Sequence, residues 1–149
     1  MKERFETFTV LIAKINRNIR KIKNQEMAEY DLRSPHISCL YYLYSTNGLT
    51  ATELCERCEE DKATISRSLD YLEKNGYIVC RSQSIKRYKS LLALTEKGTS
   101  AGKKIADKID GVLDEISTGL TEEERIAFYR SLSIISDGLE GIADRSDET

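Results

Sequence analysis

The sequence predicts a mainly α-helical fold with a small β-wing, and three observations carry that prediction. The stretch Asp61 to Gly76 reads as one short helix with both ends marked. Directly after it the residue pattern changes from a helical to a strand-like period, and long amphipathic helical patterns flank this centre on both sides. Read in order, the elements are three helices, a fourth short helix, a hairpin and two long helices. This is a winged helix-turn-helix with N- and C-terminal helices suited to dimerisation. At 149 residues the chain is one domain by size. Residues 34–95 form the winged helix-turn-helix lobe, and residues 1–30 and 96–145 the dimerisation helices.

From Met1 to about Met27, Phe5, Phe8, Ile12, Ile15, Ile19 and Ile22 recur at alternating spacings of 3 and 4, a heptad seam, with Lys14, Arg17, Asn18 and Lys21 lying away from it. Ser34-Pro35 opens the second helix, with Ser34 as cap and Pro35 at the first helical position. Its inner positions are Ile37, Leu40 and Leu43, and Ser45 to Gly48 is a turn signal. Thr50 and Glu53 make a capping box for a short third helix that runs through Cys58.

Glu59-Glu60-Asp61 is the turn into the fourth helix. There Asp61 caps the start, Gly76 supplies the left-handed residue at the end, and Ile65, Leu69 and Leu72 form the apolar stripe. The other face offers Lys62, Thr64, Ser66 and Arg67, short hydroxyls and cations in the first two turns. A helix that buries one side and presents donors from its N-terminal end suits a DNA major groove.

Tyr77 to Arg81 and Tyr88 to Leu94 are strand-like, with a polar Ser82 to Lys86 between them, which makes the wing. Thr95 caps the next helix, whose Ile105, Ile109, Val112 and Ile116 are spaced 4, 3, 4. Thr121 and Glu124 form a second capping box, and Phe128, Leu132, Ile135, Leu139 and Ile142 line the last helix. The seams at both ends, with Phe5, Phe8, Ile12, Ile135, Leu139 and Ile142 as their interface candidates, exceed what one chain of this length can cover. A homodimer is expected.

With 40% hydrophobic residues and one proline, the chain can build a core. Its net charge is −2, but Lys62 to Lys89 holds seven cations against Asp70 and Glu73, a local +5. One basic third in a nearly neutral chain fits a single phosphate-facing surface. A single histidine, no glycine-rich phosphate loop and no nucleophile elbow argue against an enzyme. No apolar run spans a bilayer and no signal-peptide pattern opens the chain, so a cytoplasmic protein is expected, with its four cysteines reduced.

Leu49-Thr50, Glu53-Leu54, Ile65-Ser66-Arg67, Leu72 to Gly76 and Leu94 to Gly98, in this order, resemble the MarR family of winged-helix transcription regulators. The resemblance implies a homodimer on a pseudo-palindromic double-stranded operator, with the fourth helix in the major groove and the wing beside the minor groove. It further implies a repressor released by a small aromatic ligand, as in many relatives, while others sense oxidants through cysteine or bind metal; no cofactor is expected. Lys62, Thr64, Ser66 and Arg67 stand at or beside the DNA-facing helix positions, and Arg81, Lys86 and Arg87 are the wing candidates. The wing departs from the family pattern: Lys86 replaces an acid, Tyr88 replaces a basic residue, and Cys80 stands where the family usually has arginine. Arg87 is the candidate for the minor groove, whose narrow floor suits a guanidinium.

His36 and Tyr41 are the ligand-pocket candidates, with a structural role as the ordinary alternative. Cys55-x-x-Cys58, with His36 and Cys39 on the preceding helix, has the residue types of a metal or redox site. Free cysteines commonly pack as small hydrophobes, and core packing is the reading preferred here for Cys39, Cys55 and Cys58, with no metal expected. Two other functions stay open: a winged-helix dimer that binds proteins without specific DNA binding, and a cysteine-gated redox or metal regulator.

Overall fold

A computed structural model describes residues 2–58, 60–81 and 89–147, apart from the side chains of Lys2, Phe5, Ser146 and Asp147. The element order is α1 (Lys2–Glu26), a 3-10 turn (Ala28–Tyr30), α2 (Ser34–Ser45), α3 (Ala51–Cys58), α4 (Lys62–Lys74), β1 (Ile78–Cys80), β2 (Leu92–Leu94), α5 (Glu96–Ser117) and α6 (Glu122–Asp147). The mainly helical fold with a small antiparallel wing is therefore as the sequence predicts. Two compact units divide the chain, one up to Lys108 and one from Ile109 on.

In the first unit the core forms where α2, α3 and α4 meet. Leu40, Leu54 and Leu72 are fully buried, and Ile37, Ile65, Leu69, Ile78, Leu92 and Ile105 nearly so. Each such side chain contributes about 1.5–3 kcal/mol through removal of its apolar surface from water. The expected stripe Ile65, Leu69, Leu72 is thus the face α4 turns inward, which fixes the opposite face outward.

The caps are as expected at most helix starts. Thr50 N donates to Glu53 Oε2 at 2.7 Å while Glu53 N donates to Thr50 Oγ1 at 3.2 Å. Thr121 and Glu124 repeat this at 2.8 and 3.2 Å. Asp61 Oδ1 accepts from Thr64 N at 2.8 Å. At the far end of α4, Gly76 has φ +75°, its N–H donates to the Glu73 carbonyl and that of Tyr77 to the Leu72 carbonyl. This pairing of bonds closes the helix around its left-handed glycine.

α2 starts differently from expectation. Its cap is Arg33, not Ser34, and Pro35 stands at the second helical position. The reason is His36, whose Nδ1 accepts from the Arg33 N–H at 3.1 Å and so takes the reach-back role that Glu or Gln plays in a capping box. The displaced Ser34 N–H donates to Asn24 Oδ1 of α1 at 2.7 Å.

The wing strands are shorter than the predicted runs. Ile78, Val79 and Cys80 pair with Leu94, Ala93 and Leu92. Leu92 also donates its N–H to the Leu49 carbonyl at 2.9 Å, so β2 has a second partner just ahead of α3. Tyr88, where the second run was expected to begin, lies outside the described residues.

The N-cap carboxyl of Asp61 is held below its ordinary range by the Thr64 N–H and hydroxyl. A carboxyl depressed by folding contributes stability above its unfolded value, about 3.9. That contribution is lost as pH falls through the lower folded value. Asp61→Asn keeps the cap acceptor but cannot titrate. Its melting temperature should fall less steeply than the wild type's below about pH 4. Parallel slopes for the two proteins in an acid series would contradict this role.

Candidate nucleic-acid interface

The outward face of α4 carries the side chains predicted to meet DNA. Lys62, Ser66 and Arg67 are exposed and Thr64 is half-buried. Three of the first residues form a chain of hydrogen bonds. Thr64 donates its hydroxyl to Asp61 Oδ2 at 2.9 Å, and Arg67 Nη2 donates to Thr64 Oγ1 at 3.2 Å. Thr64 is therefore engaged within the helix start, where it orients Arg67. Lys62 and Ser66 line a shallow apolar-walled groove of about 350 Å³ between α3 and α4. Thr52 and Cys55 form its α3 side. The sequence analysis does not single out Thr52, although the Thr50–Glu53 capping box, which sets it in the first turn of α3, is a signal for it.

The two described acids at the entrance to α4 are accounted for by the fold, and Glu59 lies outside the described residues. Asp61 is the cap, and Glu60 Oε1 accepts from Arg20 Nη2 of α1 at 3.2 Å. Neither leaves a free carboxylate on the face that carries Arg67.

Arg81 leaves β1 exposed, and its backbone N–H donates to the Leu91 carbonyl at 3.1 Å. Lys86 and Arg87, the other wing candidates, lie outside the described residues.

α4 is tied to α5 through the segment after Gly76. Thr95 Oγ1 accepts from Gly98 N at 3.0 Å, capping α5, and donates to the Gly76 carbonyl at 2.6 Å. Lys97 Nζ donates to the Asn75 carbonyl at 2.8 Å. The end of α4 and the start of α5 are one hydrogen-bonded joint.

His36 stacks on Tyr71 with ring centroids 4.4 Å apart and planes 13° from parallel. Burial and then the neighbouring Arg33 lower its pKa, which favours the neutral ring that accepts from Arg33 N. Tyr71 in turn donates to the Asp31 carbonyl at 2.9 Å. Tyr41 is half-buried, edge-on to Tyr42 at 5.3 Å. His36 and Tyr41 thus stand on α2, His36 committed to its start.

Among the interface candidates, Phe8 and Ile12 are half-buried, while Ile135, Leu139 and Ile142 are 41–55% exposed. The side chain of Phe5 lies outside the described residues.

Of the cysteines, Cys39 is fully buried in α2, as core packing requires. Cys55 and Cys58 are only partly buried, each at the wall of a cavity. Among the described residues no group of three or more His, Cys, Asp or Glu side chains is gathered to hold a metal ion. The His36, Cys39, Cys55, Cys58 set considered from sequence is not assembled, because His36 is turned back onto Arg33 and Tyr71.

A helix-turn-helix whose second helix exposes cations and hydroxyls, followed by an antiparallel wing, defines the winged helix-turn-helix class. The sequence model described as MarR family matches residues 30–87. The HTH-type transcriptional regulator YwoH of Bacillus subtilis is 28% identical over 121 residues, covering 79% of this chain and 88% of that protein. An HTH-type transcriptional regulator of Bacillus cereus is 35% identical over 81 residues, about half of each chain (54% and 53%).

Among solved structures, the MarR family regulator NMB1585 from Neisseria meningitidis superposes with a TM-score of 0.81 at 19% identity, covering 96% of this chain and 98% of that one. MepR of Staphylococcus aureus, in complex with DNA, gives 0.78 at 20% identity, with 89% and 97% covered. MarR of Staphylococcus aureus, in complex with salicylate and kanamycin, gives 0.81 at 16% identity, with 93% and 94% covered.

Residues 30–87 are thus similar to the MarR family, and the chain has the fold of the MarR family regulators it superposes on. The relatives it matches are HTH-type transcriptional regulators rather than enzymes. Among the described residues no helix is long and apolar enough to cross a membrane.

Proposed function

We propose that the protein is a cytoplasmic, homodimeric repressor that binds a pseudo-palindromic operator and is released by a small aromatic molecule. The observation that carries this reading is the two-sided construction of α4. Ile65, Leu69 and Leu72 anchor the helix in the core, while Lys62, Ser66 and Arg67 face outward from its N-terminal half. Arg67 is the base-edge contact, Lys62 and Ser66 contact phosphate or adjacent bases, and Arg81, Lys86 and Arg87 follow the backbone beside the wing. Residues 34–95 form the DNA-binding lobe; residues 1–30 and 96–145 supply the dimer surface.

Support for DNA comes from the likeness to MepR seen on DNA, and for a small aromatic ligand from the likeness to a protein seen with salicylate. His36 and Tyr41 are the proposed ligand contacts. Support for the homodimer comes from the apolar seams. Ile15 and Ile19 on α1, Leu113 and Ile116 on α5, and Ile134, Ile135, Leu139 and Ile142 on α6 are all at least 40% exposed. Apolar side chains of this size recurring along three helices form patches larger than a soluble monomer ordinarily leaves open. An acidic entrance to α4 would favour an interaction module, but both described acids there have structural tasks.

The test is binding to the protein's own promoter-proximal DNA and to an unrelated duplex across a salt series, on material whose mass is measured by sedimentation. A dimer that binds the promoter more tightly, with steep salt dependence on both duplexes, is expected. Equal affinity for both duplexes overturns the specific repressor, and no binding at low salt favours the interaction module.

A further inference from the structure

The end of α1 is tied to the helix-turn-helix by side chains that reach two different places. Asn24 Oδ1 accepts from Ser34 N at 2.7 Å, and Lys23 Nζ donates to Ser38 Oγ at 2.9 Å, so both of these secure the first turns of α2. Arg20 reaches further. Its Nη2 donates to Glu60 Oε1 at 3.2 Å, across to the turn between α3 and α4. The Glu60 side chain is only 16% exposed, whereas that of Arg20 is 61% exposed.

Glu60 directly precedes Asp61, the cap of α4. From Asp61 the hydrogen bonds continue without a gap. Its Oδ2 accepts from the Thr64 hydroxyl at 2.9 Å, and Thr64 Oγ1 accepts from Arg67 Nη2 at 3.2 Å. Apart from the peptide link between Glu60 and Asp61, a line of paired side chains runs from α1 to the guanidinium on the outward face of α4. Only its first step joins distant parts of the sequence.

We propose that Arg20 and Glu60 are a positioning pair for DNA binding: they fix the entrance of α4 against α1 and so set where the Arg67 guanidinium stands. The proposal rests on the DNA-binding reading above, and it adds residues that act from outside the contact face.

Other roles for the pair differ in size or in sign. An exposed ion pair adds little to folding stability, because solvent screens it and two long side chains lose freedom. Lys23 and Asn24 hold α1 on α2 without it. A purely electrostatic Glu60 would be an acid near a phosphate-facing surface, which repels DNA. Its removal would then tighten binding to every duplex. Positioning has the opposite sign. Removing the same carboxylate frees the turn, the cap and Arg67 with it, and weakens binding wherever a base edge must be met. A bidentate contact to a base edge demands fixed geometry, whereas phosphate contacts carry no sequence information. The loss therefore falls on the operator and not on an unrelated duplex.

The experiment measures full-length Glu60→Gln, Arg20→Ala and the double variant on the promoter-proximal duplex and on an unrelated one, at one salt concentration. Glu60→Gln should bind the promoter duplex about tenfold more weakly, as a broken coupling within one network does. It should bind the unrelated duplex as tightly as the wild type or more tightly. The double variant should lose no more than the larger single loss, since either substitution breaks the same contact. In an Arg67→Ala background, Glu60→Gln should cost nothing further. Thermal midpoints of the single variants should stay near that of the wild type. Tighter promoter binding by Glu60→Gln overturns the proposal in favour of plain repulsion. Additive losses overturn it too, as does the same loss with and without Arg67. A wild-type protein that binds neither duplex, or both alike, counts against the specific DNA reading, and hydrogen exchange then decides on the pair. In Arg20→Ala the amides of residues 60–67 should exchange faster while those of α2 do not change; unchanged exchange in residues 60–67 overturns the hold on α4.

Discussion

Gly98→Ala should cost this fold about 3 kcal/mol or more, at the upper end of what one added methylene does in a packed site. A Cβ placed there would sit 1.9 Å from the Tyr77 carbonyl oxygen and 3.1 Å from Leu94 Cδ2. The first obstacle is backbone, held in place by the Thr95 N–H that donates to the same carbonyl at 3.0 Å. No side-chain rotation relieves it, so α5 must lift from the segment after α4 and break the Thr95 bridge to Gly76. For a chain of this length the thermal midpoint should drop by roughly 6–12 °C. Gly111→Ala is the control, since nothing lies within 4 Å of its added Cβ and helix propensity favours alanine. It should be neutral or slightly stabilising. Equal midpoints for the wild type and Gly98→Ala would show that the joint gives way at little cost.

That joint also explains which parts of the fold were legible in the sequence. Caps and stops are local, and Thr50 with Glu53, Asp61, Gly76, Thr95 and Thr121 with Glu124 all stand where their side chains and φ angles are used. The Leu72 to Gly76 and Leu94 to Gly98 blocks were recognisable together because they are one structure. Thr95 and Lys97 hydrogen-bond to the carbonyls of Gly76 and Asn75. What depends on contacts between distant segments was not legible. The stacking of His36 on Tyr71 and the pairing of Leu49 with Leu92 each need two elements to be packed before the interaction exists. The CxxC spacing is a local signal that suggested one site, whereas Cys55 and Cys58 stand at the walls of different cavities. On the candidate interface, periodicity gave the face of α4, but the use of the Thr64 hydroxyl between Asp61 and Arg67 follows only from geometry.

Arg67→Ala should weaken operator binding by about 1–3 kcal/mol, the worth of a good bidentate contact to a base edge. Its guanidinium is exposed, and one nitrogen is already held by Thr64 Oγ1, which is fixed in turn by Asp61. That tether limits the rotamers the side chain must give up on DNA, so part of the ordering cost of binding is met by the free protein. A base-edge role makes a specific demand: the loss must be larger on the operator than on an unrelated duplex. Lys62→Ala, by contrast, should weaken both duplexes alike and lower the salt slope by about 1, as loss of one phosphate contact does. Arg67→Lys separates charge from shape, because a lysine restores the cation but not the fork, and operator affinity should recover only in part. Equal losses on both duplexes would make Arg67 a phosphate contact, and wild-type affinity in Arg67→Ala would remove it from the interface.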